Sequence, residues 1–137
     1  MCNVFAVHDG YYLVDLPGYG YARASKDSRK RFQRLISDYV TKRQGVAGII
    51  WLLDIRRTPS AEDQRMADLL ATTDVPVLAV ATKADKIPRG RRKQHTDDIL
   101  KSIGVAEDQL AVTSAYTREG IEELQVAMAA FLRSSRT

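Results

Sequence analysis

Leu13-Val14-Asp15-Leu16-Pro17-Gly18-Tyr19-Gly20-Tyr21 joins an apolar run to a glycine loop through a single carboxylate. Tyr11 to Val14 is apolar and suited to a strand. The strand stops at a carboxylate, Asp15, and opens into a loop holding Gly18 and Gly20. α/β folds present polar groups in this way, at the carboxyl edge of a sheet. A carboxylate there can hold Mg²⁺, directly or through water, and a glycine N–H can approach a phosphate because no Cβ intervenes. A strand followed by a Pro-Gly turn, with no ligand, accounts for the same nine residues.

Working outward, Val4 to Val7 and Tyr11 to Val14 flank His8-Asp9-Gly10 and predict a β-hairpin. After the loop Gly18 to Ala24, Ser25 or Ser28 caps a helix reaching about Arg43. Its apolar residues Phe32, Leu35, Ile36, Tyr39 and Val40 recur at spacings of three and four. Its other face is basic, with Lys26, Arg29, Lys30, Arg31, Arg34, Lys42 and Arg43 against only Asp27 and Asp38. Val46 to Leu53 is apolar on both faces and predicts a buried parallel strand, ending at Asp54. Thr58-Pro59 opens a helix to about Ala71, with Pro59 at the first helical position. Val75 to Ala81 is another buried strand and leads into Thr82-Lys83-Ala84-Asp85. The basic stretch Arg89 to Lys93 precedes a helix to about Ile103, closed by Gly104. Gln109 to Val112 is a short strand before Thr113-Ser114-Ala115, and the last helix spans about Gly120 to Leu132. Strands and helices alternate after the hairpin, the pattern of one α/β domain, 1–137, with a mostly parallel sheet.

Composition sets the class. With 45% hydrophobic and 28% charged residues the chain reads as a globular domain large enough for a core. It holds no apolar run of membrane-spanning length and no visible signal peptide, and its one cysteine, Cys2, excludes an internal disulfide. These features favour the cytoplasm and no membrane partner. A net charge of +4 permits an RNA partner without requiring one. His8 and His95 are isolated and read as solvated, Cys2 as inert and Trp51 as core.

In a parallel sheet the loops after Val14, Ala81 and Val112 converge on one edge. The second carries the most specific chemistry. Guanine shows adjacent donors, N1–H and the exocyclic amine, and a carboxylate such as Asp85 accepts both. Adenine would leave that carboxylate unpaired. The Lys83 stem can lie along the base, and the Ala115 N–H can donate to guanine O6. Solvated turn residues are the plainer reading of Lys83 and Asp85. Their position after a buried strand, with Ser114-Ala115 after the next, favours the base site.

In this order Asp15-Leu16-Pro17-Gly18, Thr82-Lys83-Ala84-Asp85 and Thr113-Ser114-Ala115 resemble the third, fourth and fifth signature motifs of translation-factor-related GTPases. Asp-Leu-Pro-Gly-Tyr-Gly-Tyr-Ala at Asp15 to Ala22 and Leu-Leu-Asp-x-Arg at Leu52 to Arg56 are similar to the EngB family of bacterial GTP-binding proteins. The resemblance implies a P-loop GTPase-like α/β/α sandwich, a GTP/GDP site with Mg²⁺, and a switch serving assembly of the large ribosomal subunit. It assigns Asp15 to Mg²⁺ and Pro17 and Gly18 to the γ-phosphate side. Thr82, Lys83, Asp85, Thr113, Ser114 and Ala115 fall on the base side, and no catalytic residue is assigned. Tyr19 stands where many GTPases carry a water-orienting Gln, which implies slow intrinsic hydrolysis. Large subunit or rRNA is the implied macromolecular partner, not DNA.

One departure is large. The phosphate-cradling loop Gly-x-x-x-x-Gly-Lys-Ser/Thr is absent: none of the eight glycines is followed by Lys. By resemblance, the first strand and first switch are missing too, as in a family member truncated at its N-terminus. The chain alone is then expected to be impaired in GTP binding and inactive as a GTPase. A non-enzymatic remnant that binds RNA or ribosomal protein through its basic helix is the alternative. A Rossmann-type enzyme is disfavoured, because no Gly-x-Gly-x-x-Gly follows a first strand.

Overall fold

The computed structural model describes residues 3–7, 10–16, 26–41 and 45–135. Within them the chain forms two compact units, Met1–Ile36 and Ser37–Thr137.

The first unit opens with the expected hairpin. β1 (Asn3–Val7) pairs antiparallel with β2 (Tyr11–Asp15), Val4 opposite Val14 and Val7 opposite Tyr11. Gly10 closes the turn at φ +86°, and its N–H donates to Val7 O at 3.1 Å. That backbone region costs an L side chain energy and suits glycine. α1 (Lys26–Thr41) crosses the boundary between the units. Its sequence stripe is visible in its burial: Ile36 is buried and Phe32, Leu35 and Tyr39 half-buried, whereas Lys30, Arg31 and Arg34 are exposed. The predicted extension to Arg43 lies outside the described residues.

The second unit is built on a parallel sheet of β3 (Ile49–Asp54), β4 (Val77–Thr82) and β5 (Leu110–Val112), in the order β3-β4-β5. The hairpin and this sheet are hydrogen-bonded as separate sheets. β4 is central, and Leu78, Ala79, Val80 and Ala81 are buried. Trp51, Leu53, Ile55, Ile99 and Ile103 complete the core with Met66 and Leu70 of α2 (Ala61–Leu70). α3 (Arg89–Ile103) contacts α2 and ends at Gly104, whose φ of +71° is the left-handed stop expected there. α4 (Ile121–Ser135) closes the chain. Among the described residues, no helix is long and apolar enough to cross a membrane.

Several expectations shift. β3 starts at Ile49 rather than Val46, because Pro76 has no N–H to extend the ladder; its carbonyl instead accepts from Ile49 N at 2.9 Å. β3 is also covered on one face rather than two: Trp51 and Leu53 point into the core, while Leu52 between them is 62% exposed at the edge of this sheet. α2 begins after Ser60, not at Pro59. Ser60 Oγ accepts from Asp63 N at 3.1 Å and Asp63 Oδ2 accepts from Ser60 N at 2.8 Å, a reciprocal cap that sets the start. Arg89 to Lys93 does not precede α3 but opens it, and Gln109 belongs to a single 3₁₀ turn, Glu107–Gln109, before β5.

Candidate functional site: the carboxyl edge of the parallel sheet

β4 and β5 run parallel, so their following loops leave the same edge, and the two are laced together. Thr113 N donates to Ala81 O at 2.9 Å and Ala84 N donates to Thr113 O at 3.0 Å. Between these bonds the chain turns through Lys83 at φ +62°, then a single 3₁₀ turn, Ala84–Lys86. A non-glycine residue in the left-handed region carries strain of about 1 kcal/mol, which such sites tend to hold. Among the described residues Lys83 and Arg118 alone share this feature, one on each loop.

This turn aims Asp85 at the other loop. Ser114 is fully buried, and its Oγ donates to Asp85 Oδ1 at 2.8 Å while accepting from Thr117 N at 3.1 Å. Ser114 N donates to Glu119 O at 2.9 Å. Asp85 Oδ2 faces Lys86 Nζ at 3.8 Å, too long for a hydrogen bond. The carboxylate is thus oriented by one bond and keeps acceptor capacity toward solvent. Ala115 is exposed next to it, and among the described residues its N–H has no backbone partner. A fixed acceptor and a backbone donor without a backbone partner are groups that base-edge recognition can use.

Thr82 Oγ1 donates to Leu53 O at 3.2 Å, so its proton is committed to the strand next door. Of the sequence-selected residues, Thr82, Lys83, Asp85, Thr113, Ser114 and Ala115 come together at this edge. Asp15 closes β2 in the other unit and is exposed. Pro17 and Gly18 lie outside the described residues.

Three sets of contacts escaped sequence reasoning, the first of them among residues of the Leu52 to Arg56 motif. Asp54, at the end of β3, accepts from Arg56 Nη2 at 2.7 Å and from Arg56 Nε and N at 3.0 Å each. Lys83 Nζ lies 3.4 Å from the same carboxylate. The Arg56 guanidinium beside it, chiefly through these side-chain hydrogen bonds, holds the Asp54 carboxyl well below the usual carboxylate range. The signal was present in a second apolar strand ending in Asp. His95 is half-buried rather than solvated: its Nδ1 bonds Ile55 O at 3.0 Å, so it carries a proton there and ties α3 to the loop after β3. Finally, Arg92 of α3 donates from Nη1 to Glu119 Oε1 and Oε2 at 2.8 and 2.6 Å, anchoring the loop that Ser114 leans on. No spacing in the sequence announces that pair.

An α/β protein with laced polar loops at the carboxyl edge of a parallel sheet is the class this geometry defines. Comparison with known proteins narrows it. The chain is 43% identical over 130 residues to "Probable GTP-binding protein EngB" of Syntrophomonas wolfei, covering 95% of this chain and 67% of that one. A protein of the same name from Geobacillus kaustophilus is 35% identical over 133 residues, covering 96% and 68%. The Streptococcus sanguinis counterpart is 41% identical over 123 residues, covering 89% and 63%. A solved structure titled "Crystal structure of a probable GTP-binding protein engB" superposes with a TM-score of 0.79, covering 98% of this chain and 84% of that one at 16% identity; it supports the fold. No protein-family model matches. The chain belongs to the EngB family. It spans about two thirds of the length of the curated relatives it matches.

Proposed function

We propose that this chain carries the base-recognising side of a guanine-nucleotide site. The observation that supports it is the 2.8 Å bond from buried Ser114 to Asp85, which presents a fixed carboxylate beside the Ala115 N–H. Asp85 accepts from guanine N1–H and the exocyclic amine, the Lys83 stem lies along the base, and Ala115 N–H donates to O6. An adenine ring offers Asp85 no matching pair of donors.

Asp15 stands at the exposed end of β2, a hard oxygen donor of the kind Mg²⁺ accepts together with phosphate oxygens and water. Among the described residues no group of three acidic, His or Cys side chains could hold a metal by itself. A site completed by nucleotide phosphates and water fits that donor set. When bound, Mg²⁺ would neutralise phosphate charge. Pro17 and Gly18 follow Asp15 on the phosphate side, and the stretch from Gly18 acts as the switch. The 137 residues hold no Gly-x-x-x-x-Gly-Lys, so this chain by itself binds GTP or GDP weakly and does not hydrolyse GTP. In the cell the role we propose is that of a cytoplasmic GTP-dependent switch on the large ribosomal subunit, with the basic face of α1 toward rRNA.

Asp85→Asn tests the base reading. An amide offers one donor and one acceptor, which suits xanthine and opposes guanine. Titration followed by amide shifts should show the variant losing GDP and gaining xanthosine diphosphate. Unchanged GDP preference would remove Asp85 from the site.

A further inference from the structure

We propose that Asp54 is a positioning residue for the base site: from the neighbouring strand its carboxylate holds the Lys83 ammonium and so fixes the lysine stem over which the purine lies. The inference rests on the base reading above. Asp54 closes β3 opposite Thr82 in the ladder, one residue before Lys83. Its Oδ2 takes Arg56 Nη2 at 2.7 Å and lies 3.4 Å from Lys83 Nζ. Its Oδ1 takes Arg56 N and Nε. The fork from Arg56 keeps the carboxylate ionised, and the same Oδ2 also faces Lys83.

The platform beneath is tied at several points. Ile55, fully buried, donates its N–H to Thr82 O at 3.0 Å and receives His95 Nδ1–H on its own carbonyl. Arg57 N donates to Asp54 O at 3.1 Å, and Thr82 Oγ1 donates to Leu53 O. The carboxylate is therefore rigid, whereas Lys83 is 56% exposed and otherwise free to sweep its four-carbon stem through solvent. A held stem is already ordered when the base arrives; a free one must be ordered then. Asp54 has no contact with the base in this arrangement and acts through Lys83 alone.

The test is a double-mutant cycle on the 137-residue chain, with GDP as the probe and ADP as the control, read from amide shifts at Thr82–Lys86 and Ser114–Ala115. Asp54→Asn should weaken GDP about threefold, the scale of one partly exposed ion pair. In a Lys83→Met background the same substitution should change nothing further. Lys93→Gln, which removes an exposed ion pair with Asp97 on α3, should leave GDP affinity unchanged. Wild-type affinity in Asp54→Asn, or effects of Asp54→Asn and Lys83→Met that multiply, would overturn the inference while the base reading stands. A wild-type chain that shifts equally for GDP and ADP would remove both. A second measurement needs no variant: nitrogen relaxation of the Lys83 ammonium in the free chain should report a restrained group, and a freely reorienting one contradicts the proposal.

Discussion

Ser114 is the residue on which the site turns. It is fully buried, yet its hydroxyl and N–H together reach Asp85, Thr117 and Glu119. Glu119 in turn is gripped by Arg92, with Arg89 Nη2 at 3.9 Å. The Arg92 side-chain hydrogen bonds pull the Glu119 carboxyl below its usual value. A carboxyl depressed in the folded state contributes stability above its unfolded value, and that contribution fades as pH falls through the folded one. Glu119→Gln should therefore be less stable than wild type near neutrality and converge with it in acid. Urea midpoints across that pH range check this; a gap independent of pH would mean that the pair contributes nothing through its charge.

At the scale of elements, small residues decide where helices can sit. The Phe131 ring of α4 lies directly on Gly48, where an added Cβ would overlap it. Gly48→Val should cost about 1–3 kcal/mol by overpacking, read from urea unfolding, and Phe131→Ala should relieve most of that penalty. No cost at Gly48 would place α4 elsewhere. α1 shows the opposite case, a helix whose exposed side is basic. If that face meets RNA, binding depends on several cations and on salt. Replacing Arg29, Lys30 and Arg34 with Ala should reduce co-sedimentation with large ribosomal subunits across a salt series. Equal sedimentation of variant and wild type would leave the face as merely solvated. Element type was legible in the sequence because period and apolar run length carry it: the stripe from Phe32 to Tyr39, the run from Val75, the stop at Gly104. Element starts were not. Ser60 overrides Pro59 through a reciprocal cap, and Pro76 delays β3 from the partner strand, effects that depend on atoms across a turn or a ladder.

For the molecule as a whole, the sequence brought Thr82-Lys83-Ala84-Asp85 and Thr113-Ser114-Ala115 to one corner of the sheet edge, since each follows a strand of the same parallel sheet; their role toward a base is the proposal. The sequence missed what supports that corner, because Asp54 to Lys83, His95 to Ile55 and Arg92 to Glu119 join residues 27 to 40 positions apart or lie on separate strands. On the reading proposed above, the chain holds base recognition without phosphate grip. Each charge-assisted hydrogen bond that a phosphate loop supplies is worth roughly 1.5–3 kcal/mol. Losing three costs about 5 kcal/mol, more than a thousandfold in affinity. The most direct measurement is a titration of the purified 137-residue chain with GTP and with ATP, together with phosphate release. Binding should be weaker than micromolar, with guanine preferred over adenine and no release above background. Micromolar GTP binding, measurable hydrolysis, or equal affinity for the two nucleotides would contradict that reading.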